Sequence, residues 1–231
     1  MTTRSITDTM RLLQFGDSVL PVGSFSFSNG LEAAVQQRAV HDVASLRLFV
    51  EAALHQAASS DGIALIEAHR AASAGEIERV VRADRAVFER KLNEEMRTMT
   101  LRMGRKLAEM TAHVAPAPLI GEWLARIERA ETPGTFPIGM ALVFEARKLA
   151  ETDVFAAHQY GVATMMLSAA LRLMKLNYLD AQAILYELNA GTDEMYRRVA
   201  DASLDDMAAF APIADILAAI HVRSHVRMFM N

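Results

Sequence analysis

The chain reads as an all-α protein, a single-domain bundle of about eight to ten helices around a central apolar helix. Three observations predict this. Apolar residues recur at three- and four-residue spacing in most windows, and few windows alternate in the manner of a half-buried strand. Ala, Leu, Met and Val dominate the 52% of residues that are hydrophobic, against ten Phe, four Tyr and one Trp, which is a palette of helix formers. No Gly/Ser/Pro linker or internal repeat divides the 231 residues, so one domain is assigned to 1–231.

Taken in order, Thr7 or Asp8 can cap a first helix that runs to about Val19, weakened in its last turn by Gly16. Leu20-Pro21 opens a loop, and Asn29-Gly30 launches a short second helix. Asp42 caps the third, where Leu46, Phe49, Val50, Ala53, Leu54 and Ala57 form a continuous stripe. Ser59-Ser60-Asp61-Gly62 interrupts it, after which Ile63, Leu65, Ile66 and His69 continue helically to Gly75. From Glu76 to Val114 the chain is heavily charged, yet Leu92, Met96, Met99, Met103, Leu107 and Met110 keep a helical spacing, as one long helix or two with a break. Those methionines read as gap-filling core residues. Pro116 and Pro118 precede a short helix with Ile120, Trp123, Leu124 and Ile127 on one face. Pro133-Gly134 and Pro137 mark a loop before a helix from about Gly139 to Leu149. The central helix follows behind Asp153, because Val154 to Leu171 carries no Asp, Glu, Lys or Arg. His158, Gln159, Tyr160, Thr164 and Ser168 interrupt that run, so it reads as a buried core helix and not a membrane span. Asp180 caps a further helix ending at Asn189-Ala190-Gly191, and Ile213, Ile216, Leu217 and Ile220 form the stripe of the last one behind Pro212.

Composition also excludes function classes. A balance of 24 Lys plus Arg against 28 Asp plus Glu, net −4, supplies no global attraction for nucleic acid. Without Cys there are no disulfides, thiolate ligands or thiol nucleophile. The N-terminal stretch lacks the apolar core and cleavage site of a secretory signal, so the expected location is the cytoplasm. No phosphate-binding G-x-x-x-x-G-K-[ST], H-E-x-x-H or G-x-S-x-G pattern is present. Adjacent pairs such as Glu94-Glu95 and Asp205-Asp206 diverge by roughly 100° on a helix and make no facing carboxylate dyad. The expectation is a protein that is not an enzyme and holds no cofactor.

Two stretches remain. In Leu20–Val35, "LPVGSFSFSNGLEAAV", Phe25 and Phe27 are threaded through serines between Gly23 and Gly30. Rings in a loop either anchor it to its own core or form the desolvated centre of a protein interface, with serines and glycines permitting close approach. The tail at about 221–231, "HVRSHVRMFMN", alternates Arg223, Arg227, His221 and His225 with apolar groups. It can dock on its own domain or order against a partner. His221 and His225, four apart, are an alternative nickel-binding pair, incomplete without further ligands.

The opening stretch resembles the N-terminal signature of the urease accessory protein F family. Leu20, Pro21, Val22, Gly23, Ser24, Phe25, Ser26, Ser28, Gly30, Leu31 and Glu32 match it. Met103-Gly104-Arg105, Phe136-Pro137, the region around Arg172, Leu173 and Gln182, and the "VRMFMN" end extend the likeness over the whole chain. Thr135, Asn177, Tyr178, Val226 and Asn231 depart from the family pattern. The resemblance implies an all-α, usually dimeric scaffold that works with the D-type (or H-type) accessory protein and the G-type GTPase to load nickel into apo-urease. It implies partner-binding roles for Pro21, Val22, Gly23, Ser24, Phe25, Phe27, Gly30 and Glu32 in the loop, and for Arg223, Arg227, Met228 and Phe229 in the tail. Arg105 or Arg227 is a candidate to reach a partner's phosphoryl-transfer site as an arginine finger. Neither a resident metal nor a membrane or nucleic-acid partner is expected.

Overall fold

The computed structural model describes residues 4–208, 216–217 and 228–229. Among these the α-helices are α1 (Ile6–Gly16), α2 (Leu31–Gln36), α3 (Val43–Ala57), α4 (Ile63–Ser73), α5 (Ile77–Glu89), α6 (Glu94–Val114), α7 (Pro118–Glu128), α8 (Phe136–Ala146), α9 (Glu151–Leu173), α10 (Tyr178–Asn189) and α11 (Thr192–Val199). The described residues contain no strand, and the all-α expectation holds.

Two helices organise the core. α9 packs against α1, α2, α3, α4, α8, α10 and α11, as the uncharged run predicted. α8 is its equal, buried continuously from Pro137 to Glu145 and covered by α4, α5, α6 and α7 as well as α1 and α9. By length and apolar character α9 could cross a membrane, but 56% of its most apolar window is buried inside the fold, as a core helix requires. Phe144, Phe155 and Trp123 are among the largest side chains withdrawn from water, each contributing about 1.5–3 kcal/mol of transfer free energy.

Several boundaries differ from expectation for local reasons. Ser5, not Thr7 or Asp8, caps α1, its hydroxyl accepting from the Asp8 amide at 3.1 Å, and the helix stops at Gly16 because Asp17 is extended. Asp153 lies inside α9, reaching back to accept from the Ala150 amide at 3.1 Å. Asn177 caps α10 by accepting from the Asp180 amide at 2.9 Å. Pro137 sits in the first turn of α8, where a missing N–H costs nothing. The charged region divides at Arg90–Asn93, so Leu92 lies exposed in the connector and outside the stripe, while Met103 and Leu107 of α6 are buried. α11 was missed because only Met195 and Val199 of its eight residues are buried. Ser59 to Gly62 does not interrupt the chain: Ala58–Gly62 is a π-helical turn that joins α3 to α4.

Two polar devices hold elements together. Arg70 donates to both carboxylate oxygens of Glu151 at 2.7 and 2.8 Å and to the Ala200 carbonyl at 2.8 Å, tying α4 to α9 and the end of α11. Asp84 of α5, fully buried, accepts from the Thr132 and Thr135 hydroxyls and the Gly134 and Thr135 amides at 2.6–2.8 Å. Burial pushes its carboxyl up from the ordinary value against the pull of those four donors. This clasp fixes the loop that α6 touches at Gly104. Thr135 thereby has a defined structural task.

Candidate functional site

After α1 the chain is turned by its own backbone. The Asp17 side chain accepts from the Val19 amide at 3.0 Å and its carbonyl from the Leu20 amide at 3.1 Å, while the Ser24 hydroxyl donates to the Ser18 carbonyl at 3.2 Å. Gly23 and Gly30 take φ of +94° and +81°, a left-handed backbone that side chains with a Cβ rarely adopt. Between them a 3-10 turn over Ser24–Ser26 alternates the rings: Phe27 is 3% exposed in the core, and Phe25 is 72% exposed at the tip. Val22 and Leu31 are buried with Phe27, so the core-anchor reading holds for Phe27, while the Phe25 ring stands in solvent.

Glu32 follows in the first turn of α2. Its carboxylate is 2% exposed, and its two oxygens accept from the backbone amides of Met228 at 2.8 Å and Phe229 at 3.0 Å. The Phe229 ring is 4% exposed, with the Arg172 guanidinium carbon 4.2 Å from its centroid, and Met228 is 61% exposed. Arg172 also donates to the Phe25 carbonyl at 3.1 Å. Met228 and Phe229 are therefore seated beside the opening loop. Pro21 and Ser24 flank the tip, whereas Arg105 stands exposed on α6, held by Glu109 at 2.8 Å. Arg223, Arg227, His221 and His225 lie outside the described residues, as does the stripe of the last predicted helix apart from exposed Ile216 and buried Leu217.

Beneath the loop lies a cavity of about 230 Å³ walled by Phe15, Val22, Met99, Met103, Met140 and Val162. Asp61, Lys91 and His158 are among its polar lining residues. The Lys91 ammonium donates to both Asp61 oxygens at 2.7 Å, and His158 Nε2 lies 3.9 Å from Asp61. Burial lowers the His158 pKa from its ordinary 6.5, Asp61 opposing and Lys91 reinforcing, so the ring is neutral at pH 7. Among the described residues no group of three His, Cys, Asp or Glu side chains is placed to hold a metal ion. Sequence reasoning missed Glu32 as an anchor for the tail, the Arg172 bridge and the Asp61–Lys91 pair. Each joins residues more than 25 positions apart, and no local pattern marks them.

A model of the UreF family matches residues 40–189. Urease accessory protein UreF 2 of Brucella canis is 55% identical over 228 residues, covering 99% of this chain and 94% of the relative. Urease accessory protein UreF 1 of Brucella melitensis is also 55% identical over 228 residues, covering 99% of this chain and 95% of the relative. Urease accessory protein UreF of Yersinia pseudotuberculosis serotype I is 50% identical over 225 residues, covering 97% of this chain and 99% of the relative. The loop and its tail contact lie ahead of and behind the segment matched by the family model. On this extent of similarity, together with the all-α fold, the chain belongs to the UreF family.

Proposed function

We propose that the chain is a non-catalytic scaffold in urease maturation. It assembles as a cytoplasmic homodimer with the D/H-type accessory protein and the G-type GTPase, and so regulates GTP-dependent delivery of nickel, the cargo, to apo-urease. The observation that carries this reading is the exposed Phe25 ring, held outward on a loop whose neighbours Val22 and Phe27 are locked in the core. A large apolar group fixed in water on a rigid support is what an interface anchor requires. Pro21, Arg105 and Met228 are the other exposed candidates among the described residues. For the homodimer, α10 leaves Leu179 and Tyr186, seven apart on one helical face, exposed to solvent.

The test is co-purification of the maturation complex and urease activation in cells carrying Phe25→Ala. The variant melts with the parent, and loses both the accessory partners and urease activity. Full urease activation by Phe25→Ala overturns the interface assignment.

A further inference from the structure

One guanidinium touches both parts of the seat. Arg172 stands in the last turn of α9, where its Nε donates to the Ser168 carbonyl at 3.3 Å and one Nη donates to the Phe25 carbonyl at 3.1 Å. Its guanidinium carbon lies over the Phe229 ring, 4.2 Å from the centroid. Phe229 in turn is fixed from its backbone side, since its amide and that of Met228 occupy the two oxygens of Glu32. The loop between Phe25 and Glu32 is thus gripped at both ends by groups that Phe229 completes.

We propose that Arg172 is a positioning residue that links seating of Phe229 on Glu32 to the geometry of the Phe25 loop, and through it to how the Phe25 ring is presented. The physical basis is the difference between a held and a free guanidinium. A held Arg gives up rotamer entropy that a free one keeps, and its planar fork recognises a partner only when it is held. A ring beneath the cation restricts its rotamers and so steadies the N–H that donates to the Phe25 carbonyl. With Phe229 withdrawn, the exposed side chain regains its rotamers and the carbonyl loses a steady donor. Such linkage is reciprocal: a protein that grips Phe25 tightens the tail on Glu32, and one that captures the tail loosens the loop. The consequence for partners rests on the scaffold reading, but the linkage itself belongs to the isolated chain and is measured there.

The experiment is hydrogen–deuterium exchange of the full chain, following the peptide that contains the Ser26 and Phe27 amides, which are protected by the Gly23 and Ser24 carbonyls. Phe229→Ala and Arg172→Ala are each expected to speed exchange there about fivefold or more, with α4 and α8 unchanged. The double variant is expected to match the larger single effect, because both remove one link. Arg172→Lys keeps the charge, loses the planar fork, and is expected to behave like Arg172→Ala. Unaltered exchange at residues 24–30 in Phe229→Ala overturns the proposal, as do effects that multiply in the double variant or full rescue by lysine. Should Arg172→Ala not fold, Phe229→Ala alone decides. Loss of partner binding in Phe25→Ala leaves this readout untouched, so the two readings fail separately.

Discussion

Adding one methyl group at Gly104 tests whether the Asp84 clasp is rigid. A Cβ there would stand 2.0 Å from the Gly134 carbonyl oxygen, 2.7 Å from the Thr135 carbonyl carbon and 2.8 Å from the Phe136 nitrogen. Ordinary contact begins near 3.4 Å, so α6 and the loop must separate by about 1.4 Å. All three obstacles are backbone, and four hydrogen bonds to Asp84 hold that backbone in place. Overpacking costs about 1–3 kcal/mol and more against an unyielding neighbour. Parting the helices also stretches the Phe136 amide from the Thr100 hydroxyl, now 3.2 Å away, at a cost of about 1 kcal/mol. Against this stands the usual gain of about 0.4–1 kcal/mol from replacing a helical Gly by Ala. The net loss is about 3 kcal/mol, or a melting temperature lower by about 6–12 °C for a chain of this size. Gly121→Ala on α7 is the matched control, since a Cβ there meets nothing within 4 Å, and it raises stability by about 0.4–1 kcal/mol. Thermal and urea denaturation followed by circular dichroism read both. If Gly104→Ala melts no lower than Gly121→Ala, the loop yields and the clasp argument is wrong.

Three further outcomes are expected. Lys91→Met strands the buried Asp61 carboxylate and lowers stability by about 3–5 kcal/mol in urea titration, whereas Asp61→Asn combined with Lys91→Met recovers most of that loss. Burial keeps the His158 ring neutral to lower pH in the folded chain than in the unfolded chain, which takes up a proton as pH falls through about 6.5. Its contribution is therefore present at pH 7 and lost below pH 6.5, at up to about 1.4 kcal/mol per pH unit. His158→Gln flattens that part of the stability–pH curve. Finally, Phe27→Ala costs about 3–5 kcal/mol as a core truncation, while Phe25→Ala changes stability by less than about 0.5 kcal/mol, which differential scanning calorimetry separates.

Most of the helices could be read locally because their signals are local. Asp42 accepts from the Ser45 amide at 2.8 Å, and Leu46, Val50 and Leu54 behind it are buried as their spacing requires. The uncharged run of α9 and the Trp123 face of α7 behave likewise. Local chemistry misled where two residues offered the same service, as at Ser5 against Asp8 and Asn177 against Asp180. In the site, the left-handed turns at Gly23 and Gly30 were legible, but which ring turned inward was not. That choice depends on what α9 presents underneath. The roles of Glu32 and Arg172 in seating the tail were not legible, because a carboxylate that binds backbone amides nearly 200 residues away leaves no spacing to detect.

The π-helical turn at Ala58–Gly62 makes one rod do the work of two. An extra residue wound into a helix acts as a phase shift, rotating everything beyond it by roughly 100°. Upstream the rod faces α9 and α10; downstream it turns to α5 and α8 without a loop. Shortening the turn by one residue would bring both halves back into step, swinging Asp61 away from Lys91 and aiming α4's apolar face past its neighbours. Tolerance to insertion and deletion should therefore be lowest in this stretch, although its Ser-Ser-Asp-Gly composition is that of an ordinary dispensable linker.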